Sequence, residues 1–132
     1  MSNIQSSTAG RSFNILLAED ELSTQFLLER ILNSSGHSVT VANNGEEALS
    51  CLTNNSYDIG IFDMQMPIMG GIEAIKKYKE KVAVKSLPFI MLTATNKEDA
   101  LKQCESVGVD VLLIKPTSSQ DLLTEINRVC SK

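Results

Sequence analysis

Residues 59–71 read IGIFDMQMPIMGG, a stretch in which a short apolar run meets an acidic residue and then a turn. The apolar run Ile59–Phe62 is typical of a strand that is covered on both faces of a sheet. Asp63 follows at the end of that strand, where an unpaired carboxylate has a desolvation cost that packing does not explain. Pro67 and Gly70–Gly71 are typical turn residues, so we expect them to shape the loop and to have no chemical role. The stretch therefore predicts a buried strand that ends on a reactive carboxylate.

The same unit recurs along the chain, because short apolar runs alternate with longer segments of helical period. This alternation predicts β-α units around a parallel sheet. Strands are predicted at Ile15–Ala18, Ser38–Ala42, Ile59–Phe62, Phe89–Leu92 and Val111–Ile114. Four of the five are apolar throughout and are expected to be covered on both faces. In the second, Val39 and Val41 alternate with polar residues, which predicts a position at the edge of the sheet.

Five helices are predicted from apolar steps of three and four residues. In the first helix, the apolar face is assigned to Leu22, Phe26, Leu27 and Ile31. A polar residue three positions before a carboxylate predicts helix N-caps at Asn44, Asn96 and Ser118. Gly36 and Gly108 are predicted to end the first and fourth helices in a left-handed conformation.

Length and charge narrow the class of protein. The 132 residues fit a single domain, which we place at 13–132, with residues 1–12 as a flexible arm, a linker or a cloning remnant. A net charge of -4 predicts a field that repels phosphate backbones, so direct nucleic-acid binding is not expected.

No apolar run approaches the roughly 20 residues of a bilayer span, and the polar N-terminus lacks a signal stretch. We therefore expect a cytoplasmic chain without membrane contact.

Cysteine and histidine usage excludes further kinds of site. The three cysteines are far apart and lack CxxC spacing, which argues against a disulfide framework and against a zinc site. His37 is the single histidine, so a histidine dyad or a histidine-rich metal site within this chain is excluded.

Reactive side chains follow four of the five predicted strands. They are Glu19, Asp20, Asp63, Thr93 and Lys115. Because ligands of open parallel sheets bind beyond the carboxyl ends of the strands, these groups are expected to share one crevice. Carboxylates about 4 Å apart repel by about 4 kcal/mol at an effective dielectric near 20, and one lysine cannot compensate three of them. The cluster therefore predicts a site for Mg²⁺, with Mn²⁺ as a substitute, and the chemistry of phosphoryl transfer.

Four motifs in register carry a resemblance to a known family. ILLAED at 15–20, DMQMPIMGG at 63–71, TA at 93–94 and KP at 115–116 together resemble the receiver domain of two-component response regulators and hybrid histidine kinases. The resemblance runs from about Asn14 to Cys130. It implies an α/β, flavodoxin-like fold: a doubly wound, five-stranded parallel sheet of order 2-1-3-4-5 with five helices.

The resemblance also implies roles for individual residues. Asp63 matches the phosphoacceptor. Asp20 and Asp63 match carboxylate ligands of Mg²⁺, with Glu19 acting through water and the main-chain carbonyl of Gln65 as a further ligand. Glu19 departs from the more usual Asp at the first acidic position, and its longer arm is expected to reach a metal-bound water.

The remaining roles belong to the last two strands. Thr93 and Lys115 match the groups that hold the phosphoryl oxygens and report the change. A cis bond between Lys115 and Pro116, typical of the family, would aim the lysine into the pocket. Leu112 stands where most receivers have an aromatic residue that rotates after phosphorylation. Leu112 is therefore either a core residue or, with Thr93, a part of the switch and partner surface. Gln65 and Thr95 stand where the family tunes phosphoryl lifetime.

The function that the resemblance implies is a switch and not a turnover enzyme, with self-phosphorylation and self-dephosphorylation only. The expected donor is the phosphohistidine of a histidine kinase or a histidine phosphotransfer domain. The expected output is altered binding of a downstream protein, which the sequence does not identify, around the fourth helix, fifth strand and fifth helix. The chain fits a free-standing regulator or a C-terminal receiver of a hybrid sensor kinase, and ILLAEDE with its polar lead-in favours the second.

Three other functions compete with the switch. A hydrolase that passes through an aspartyl-phosphate would usually have a general acid two residues after its nucleophile, where this chain has Gln65. A docking module that is not phosphorylated would have little use for the complete set of site residues. Flavin binding is compatible with the fold, but carboxylate-rich loops would repel the phosphate of the cofactor unless a metal intervened.

Overall fold

The computed structural model describes residues 11–82, 87–94 and 97–131. Within that part of the chain, strands and helices alternate throughout. The strands are β1 (Asn14–Ala18), β2 (Ser38–Ala42), β3 (Ile59–Asp63), β4 (Phe89–Thr93) and β5 (Val111–Ile114). The helices are α1 (Leu22–Ser34), α2 (Gly45–Asn54), α3 (Gly71–Lys81), α4 (Lys97–Val107) and α5 (Ser119–Cys130). Thr95 and the predicted N-cap Asn96 lie outside the described residues.

The five strands form one parallel sheet of order β2-β1-β3-β4-β5. This order confirms the predicted 2-1-3-4-5 topology and the edge position of β2. The register pairs Ala18 with Phe62 and Asp63 with Leu92, so β1, β3 and β4 end side by side. The loops that follow these three strands consequently meet at one edge of the sheet.

Alternate strand residues pack into two apolar cores, one on each face of the sheet. Ile15 and Leu17 of β1 face a core that α1 and α5 complete, and Leu16 and Ala18 face a core that α2, α3 and α4 complete. Because β1, β3 and β4 have helices on both faces, nearly every residue in them is buried. The sheet therefore holds the loops at its carboxyl edge on a rigid base.

The predicted apolar face of α1 is wrong at three of its four residues, whereas the fourth, Ile31, is half-buried and packs against the core. Leu22, Phe26 and Leu27 are 75%, 76% and 57% exposed, whereas Leu28 and Leu32 are buried against the sheet. The sequence of α1 contains two overlapping apolar stripes at helical spacing, and periodicity alone does not say which stripe faces the sheet. The exposed stripe begins directly beside the acidic residues that follow β1.

The expectation that β5 is covered on both faces is also wrong. Val111, Leu112 and Leu113 are half-buried, and Ile114 is 40% exposed. The reason is the position of β5 at the second edge of the sheet. Its apolar composition resembles that of a central strand, whereas its cover is that of an edge strand.

The predicted helix ends within the described residues are confirmed. The side chains of Asn44 and Ser118 accept hydrogen bonds from the amides of Glu47 and Asp121, at 2.9 and 3.0 Å. Gly36 and Gly108 have φ angles of +91° and +72°, the left-handed conformation expected at a helix C-terminus.

The residues ahead of β1 are fastened to the turn between α1 and β2. The amide of Phe13 donates to Nδ1 of His37 at 3.1 Å, and the two rings stack with centroids 5.4 Å apart. The hydroxyl of Ser12 donates to the carbonyl of Gly36 at 2.6 Å. Burial lowers the pKa of His37, because it disfavours the charged imidazole. These contacts lie at the amino end of β1, the end remote from Glu19 and Asp63.

No helix within the described residues is both long enough and apolar enough to cross a bilayer.

Candidate functional site

Three carboxylates meet at the carboxyl edge of the sheet, as the sequence predicts. Glu19 and Asp20 follow β1, and Asp63 is the last residue of β3. One carboxylate oxygen from each of the three lies within 4.8 Å of the other two. Glu19 is fully buried, Asp63 is 7% exposed and Asp20 faces solvent. The cluster therefore opens to solvent on the side of Asp20.

Lys115 reaches this cluster from the end of β5. Its Nζ lies 2.7 Å from Oε1 of Glu19 and 3.2 Å from Oδ2 of Asp63. Its own amide donates to the carbonyl of Thr93 at 2.8 Å, which ties the loop after β5 to the end of β4. The bond between Lys115 and Pro116 is cis, as the family resemblance implies.

The ionisation of Glu19 and Lys115 reflects this arrangement. Burial raises the pKa of Glu19, the Asp63 charge adds to the rise, and Lys115 and the Glu21 amide oppose it. Burial by itself would lower the pKa of Lys115, but the ion pairs with Glu19 and Asp63 outweigh it and raise that pKa. Lys115 therefore remains an ammonium at neutral pH.

Hydrogen bonds from three directions fix the position of Glu19. Its amide donates to the carbonyl of Ala42 at 3.0 Å, and its Oε2 accepts from the amide of Glu21 at 3.0 Å. The side-chain amide of Gln25 donates to the main-chain carbonyl of Glu19 and, at 2.7 Å, to Oδ1 of Asn43. Gln25 thereby connects the loops after β1 and β2. Sequence reasoning missed this residue, and no motif or spacing marks it.

Asp63 is held between Lys115 and its own loop. Its Oδ1 accepts a long hydrogen bond of 3.4 Å from the amide of Gln65, while its Oδ2 faces Lys115. The amide of Met64 donates to the carbonyl of Leu92 at 2.9 Å and extends the pairing of β3 with β4 past Asp63. The side chain of Gln65, two residues after Asp63, is exposed.

Thr93 and Leu112 lie on the two neighbouring strands. Thr93 is the last residue of β4 and is 1% exposed, at the same edge of the sheet as Asp63. Leu112 is half-buried and packs against the core that α2, α3 and α4 complete. Leu112 is thus placed in that apolar core and not among the polar groups of the site.

The donor set fits a hard divalent cation. Three carboxylates face a single ammonium, so the ionised cluster has a net negative charge that one further cation would neutralise. Oε1 of Glu19 is buried and has an ion pair with Lys115 but no well-oriented hydrogen bond within the described residues. Carboxylate oxygens on an open rim suit Mg²⁺, which binds through one or two carboxylates and keeps several waters.

The chain matches one family model over most of its length. The model of the response regulator receiver domain matches residues 15–127. Among curated proteins, the sensory/regulatory protein RpfC of Xanthomonas campestris is 31% identical over 115 residues, which are 86% of this chain and 16% of that protein. The two-component response regulator ORR3 of Oryza sativa subsp. indica is 29% identical over 120 residues, which are 90% of this chain and 92% of that protein.

Solved structures with the same fold include the receiver domain of the sensor histidine kinase PA1611 of Pseudomonas aeruginosa. That structure, which has a magnesium ion coordinated in its active-site cleft, superimposes with a TM-score of 0.85 at 26% identity and covers 92% of this chain and 100% of that one. The chemotaxis protein CheY4 of Vibrio cholerae gives a TM-score of 0.83 at 28% identity over 90% of this chain and 99% of that one.

Proposed function

Because this chain belongs to the response regulator receiver domain family, we propose that Asp63 is the residue on which it accepts a phosphoryl group. One observation supports this choice above all. Asp63 ends a central strand inside a cluster of three carboxylates, with the Lys115 ammonium 3.2 Å from its Oδ2. A carboxylate with no role beyond packing would not need this arrangement of charges.

The proposed step is an in-line transfer between two nucleophiles. An oxygen of the Asp63 carboxylate attacks the phosphorus of a phosphohistidine, and a P–O bond forms while the P–N bond breaks. The electron pair of the broken bond stays on the ring nitrogen, and the imidazole leaves neutral when its other nitrogen has a proton. Lys115 then lies where it can pair with an oxygen of the new phosphoryl group.

The acidic residues would hold the metal that receiver domains bind at such a cluster. We assign Asp20, Asp63 and the main-chain carbonyl of Gln65 as direct ligands, and Glu19 as a ligand through water. When bound, Mg²⁺ would offset negative charge on the phosphoryl oxygens. Mn²⁺ has similar ligand preferences and is proposed as a substitute.

We assign the reporting of phosphorylation to Thr93 and Lys115. Thr93 has a hydroxyl on β4 beside Asp63, and the Lys115 amide is bonded to the Thr93 carbonyl. A change at the acceptor would therefore move the ends of β4 and β5 together. Leu112 on β5 would transmit that change through packing, since it has no aromatic ring to rotate into the site.

The setting of the chain is part of the proposal. The part of the chain that matches RpfC covers 16% of that protein, and the part that matches ORR3 covers 92% of that regulator. The chain therefore fits a receiver within a larger kinase and also a small separate regulator. We propose that residues 13–132 form a domain located in the cytoplasm. Its partners would be a histidine kinase or a histidine phosphotransfer domain and an unidentified downstream protein. It would have no catalytic turnover beyond its own phosphorylation and dephosphorylation.

The test is phosphorylation of the full chain by phosphoramidate with Mg²⁺, followed by intact mass measurement. We expect one acid-labile phosphoryl group on the wild type and none on Asp63→Asn. The matched control is Asp121→Asn, which removes an exposed carboxylate in α5 and should leave the modification intact. Phosphorylation of Asp63→Asn to the wild-type extent would contradict the proposal, and continuous release of phosphate over many turnovers would favour a hydrolase.

A further inference from the structure

Ile68 occupies a strained turn in the loop between β3 and α3. Its φ is +69°, and the amide of Met69 donates to the carbonyl of Pro67 at 2.7 Å across it. A bond between residues two apart around a positive φ defines the rarer and more strained form of the γ-turn. A β-branched residue is poorly suited to this backbone conformation, because its Cβ substituents crowd the main chain.

The side chain of Ile68 receives no compensating burial. It is 74% exposed, whereas Met66 and Met69 of the same loop are half-buried and pack against the core. Within the described residues, the other positive φ angles belong to Gly36 and Gly108, which lack a Cβ. Ile68 thus combines an unfavourable backbone conformation with an apolar side chain in water.

Contacts on both sides of the turn hold it in place. The amide of Gly45 at the start of α2 donates to the carbonyl of Met69 at 2.8 Å, and the amide of Gly71 donates to the carbonyl of Met64 at 3.1 Å. A Cβ on Gly45 would lie 2.5 Å from the Met69 carbonyl oxygen, so α2 and this loop are in close contact. The loop is therefore fixed on its inner side and presents Ile68 on its outer side.

Ile68 is in the loop that directly follows the proposed phosphoacceptor. It follows Asp63 by five residues, in the loop whose Gln65 amide bonds to Asp63. Because β1 and β3 are neighbours, the loops that follow these two strands leave the sheet at the same edge. A protein that brings a phosphohistidine to Asp63 has to approach this edge of the sheet, where the loop of Ile68 begins.

We propose that Ile68 is a specificity contact for the protein that carries the phosphohistidine, and that its side chain packs against an apolar surface of that protein beside the histidine. This inference rests on the proposed function. The strained turn keeps the side chain pointing outward in the free protein, so that the contact needs little reordering when the donor arrives.

Two variants separate the contact from the strain. Ile68→Asn removes the apolar side chain, and asparagine is found at positive φ several-fold more often than a β-branched residue. We expect this variant to unfold at a higher temperature than the wild type and yet to accept phosphoryl from a protein donor about tenfold more slowly, the loss typical of one buried aliphatic contact. Ile68→Leu keeps an apolar side chain and should transfer at nearly the wild-type rate. Leu101→Asn in α4, where the side chain is 39% exposed, is the control for loss of an exposed apolar group.

The protein donors are a panel of purified histidine phosphotransfer proteins with a radiolabelled phosphoryl group, ranked by their rate of transfer to the wild-type chain. Phosphoramidate is the small donor. Equal transfer to the wild type and to Ile68→Asn would overturn the inference, as would transfer to no chain by any protein donor. A concentration-dependent dimer that Ile68→Asn abolishes without slowing transfer would also overturn it, by assigning Ile68 to a contact between copies. Phosphoramidate separates the two proposals, because it should label every Ile68 variant equally and fails on the wild type only if the proposed function is wrong.

Discussion

The ammonium of Lys115 offsets part of the charge on Glu19 and Asp63. Its side chain is 20% exposed, and that of Glu19 is fully buried, so this ion pair is poorly screened by solvent. The three carboxylates retain an excess of negative charge that Mg²⁺ can offset. The stability of the fold and the affinity for metal should therefore be coupled through this one residue.

Replacement of Lys115 by methionine tests the coupling. We expect Lys115→Met to lower the free energy of unfolding by about 3 kcal/mol without metal, because Glu19 would be left buried without its partner. Saturating Mg²⁺ should reduce the difference from the wild type, since a cluster without an ammonium binds the cation more tightly. Urea denaturation with and without Mg²⁺ measures both effects.

The control is Lys77→Met in α3. Lys77 pairs with Glu73 at 3.4 Å, and the two side chains are 47% and 54% exposed, so its loss should cost under about 0.5 kcal/mol with or without metal. If Mg²⁺ leaves the gap between Lys115→Met and the wild type unchanged, the cluster is not the metal site.

Single residues differ in how far the sequence could predict them. Asp63 and Lys115 could be predicted as site residues because strand ends in a parallel sheet converge, and the structure brings both together. Gln25 could not, because its bonds to the Glu19 carbonyl and to Asn43 depend on how α1 lies against the sheet. The backbone strain at Ile68 is likewise a product of contacts made by the residues around it.

Among the elements, strands were easier to predict than helix faces. Continuous apolar runs mark β1, β3 and β4, and side-chain caps mark the starts of α2 and α5. The face of α1 could not be predicted, because Leu22 and Phe26 have the same helical spacing as the buried Leu28 and Leu32. Which stripe is buried depends on how the helix packs against the sheet, and that information is not local.

We expect the stability of the fold to depend on pH through His37, in the turn between α1 and β2. Nδ1 of His37 accepts a hydrogen bond from Phe13, so a proton on that nitrogen would break the bond. The pKa of the imidazole is lowered in the fold from 6.5, and the unfolded chain therefore binds the proton more readily. The free energy of unfolding should fall as the pH drops below about 6.5, by at most about 1.4 kcal/mol per pH unit, until the folded pKa is reached.

His37→Asn is the comparison for this element, because its amide oxygen can accept a hydrogen bond without titrating. Denaturation by urea at several values between about pH 7.5 and pH 5 should give a steeper decline for the wild type than for the variant. Parallel curves would show that another group causes the acid dependence.

In the whole molecule, cover by helices decreases from the centre of the sheet to its edges. The residues of β3 and β4 are all buried, whereas β2 and β5 contain half-buried and exposed positions. Regions with fewer buried contacts open at lower free energy than the core. The fold should therefore open locally at its edges before it unfolds.

Amide hydrogen exchange followed by NMR measures this gradient. The slowest amides are expected in β1, β3 and β4, where exchange should require global unfolding, and faster exchange is expected in β5. Protection of β5 equal to that of β3 would contradict the expectation and would indicate cover that the described residues do not supply.

The anchoring of Ser12 and Phe13 has a practical consequence. Both bond to the turn at Gly36 and His37, at the amino end of β1, whereas Asp63 lies at the carboxyl edge of the sheet. A tether to a solid surface, attached ahead of Arg11, would hold the molecule at the amino end of β1. The cluster of three carboxylates at the opposite edge of the sheet would then face the bulk solution. Immobilised this way, the protein offers Asp63 and Ile68 to an incoming donor without obstruction from the support.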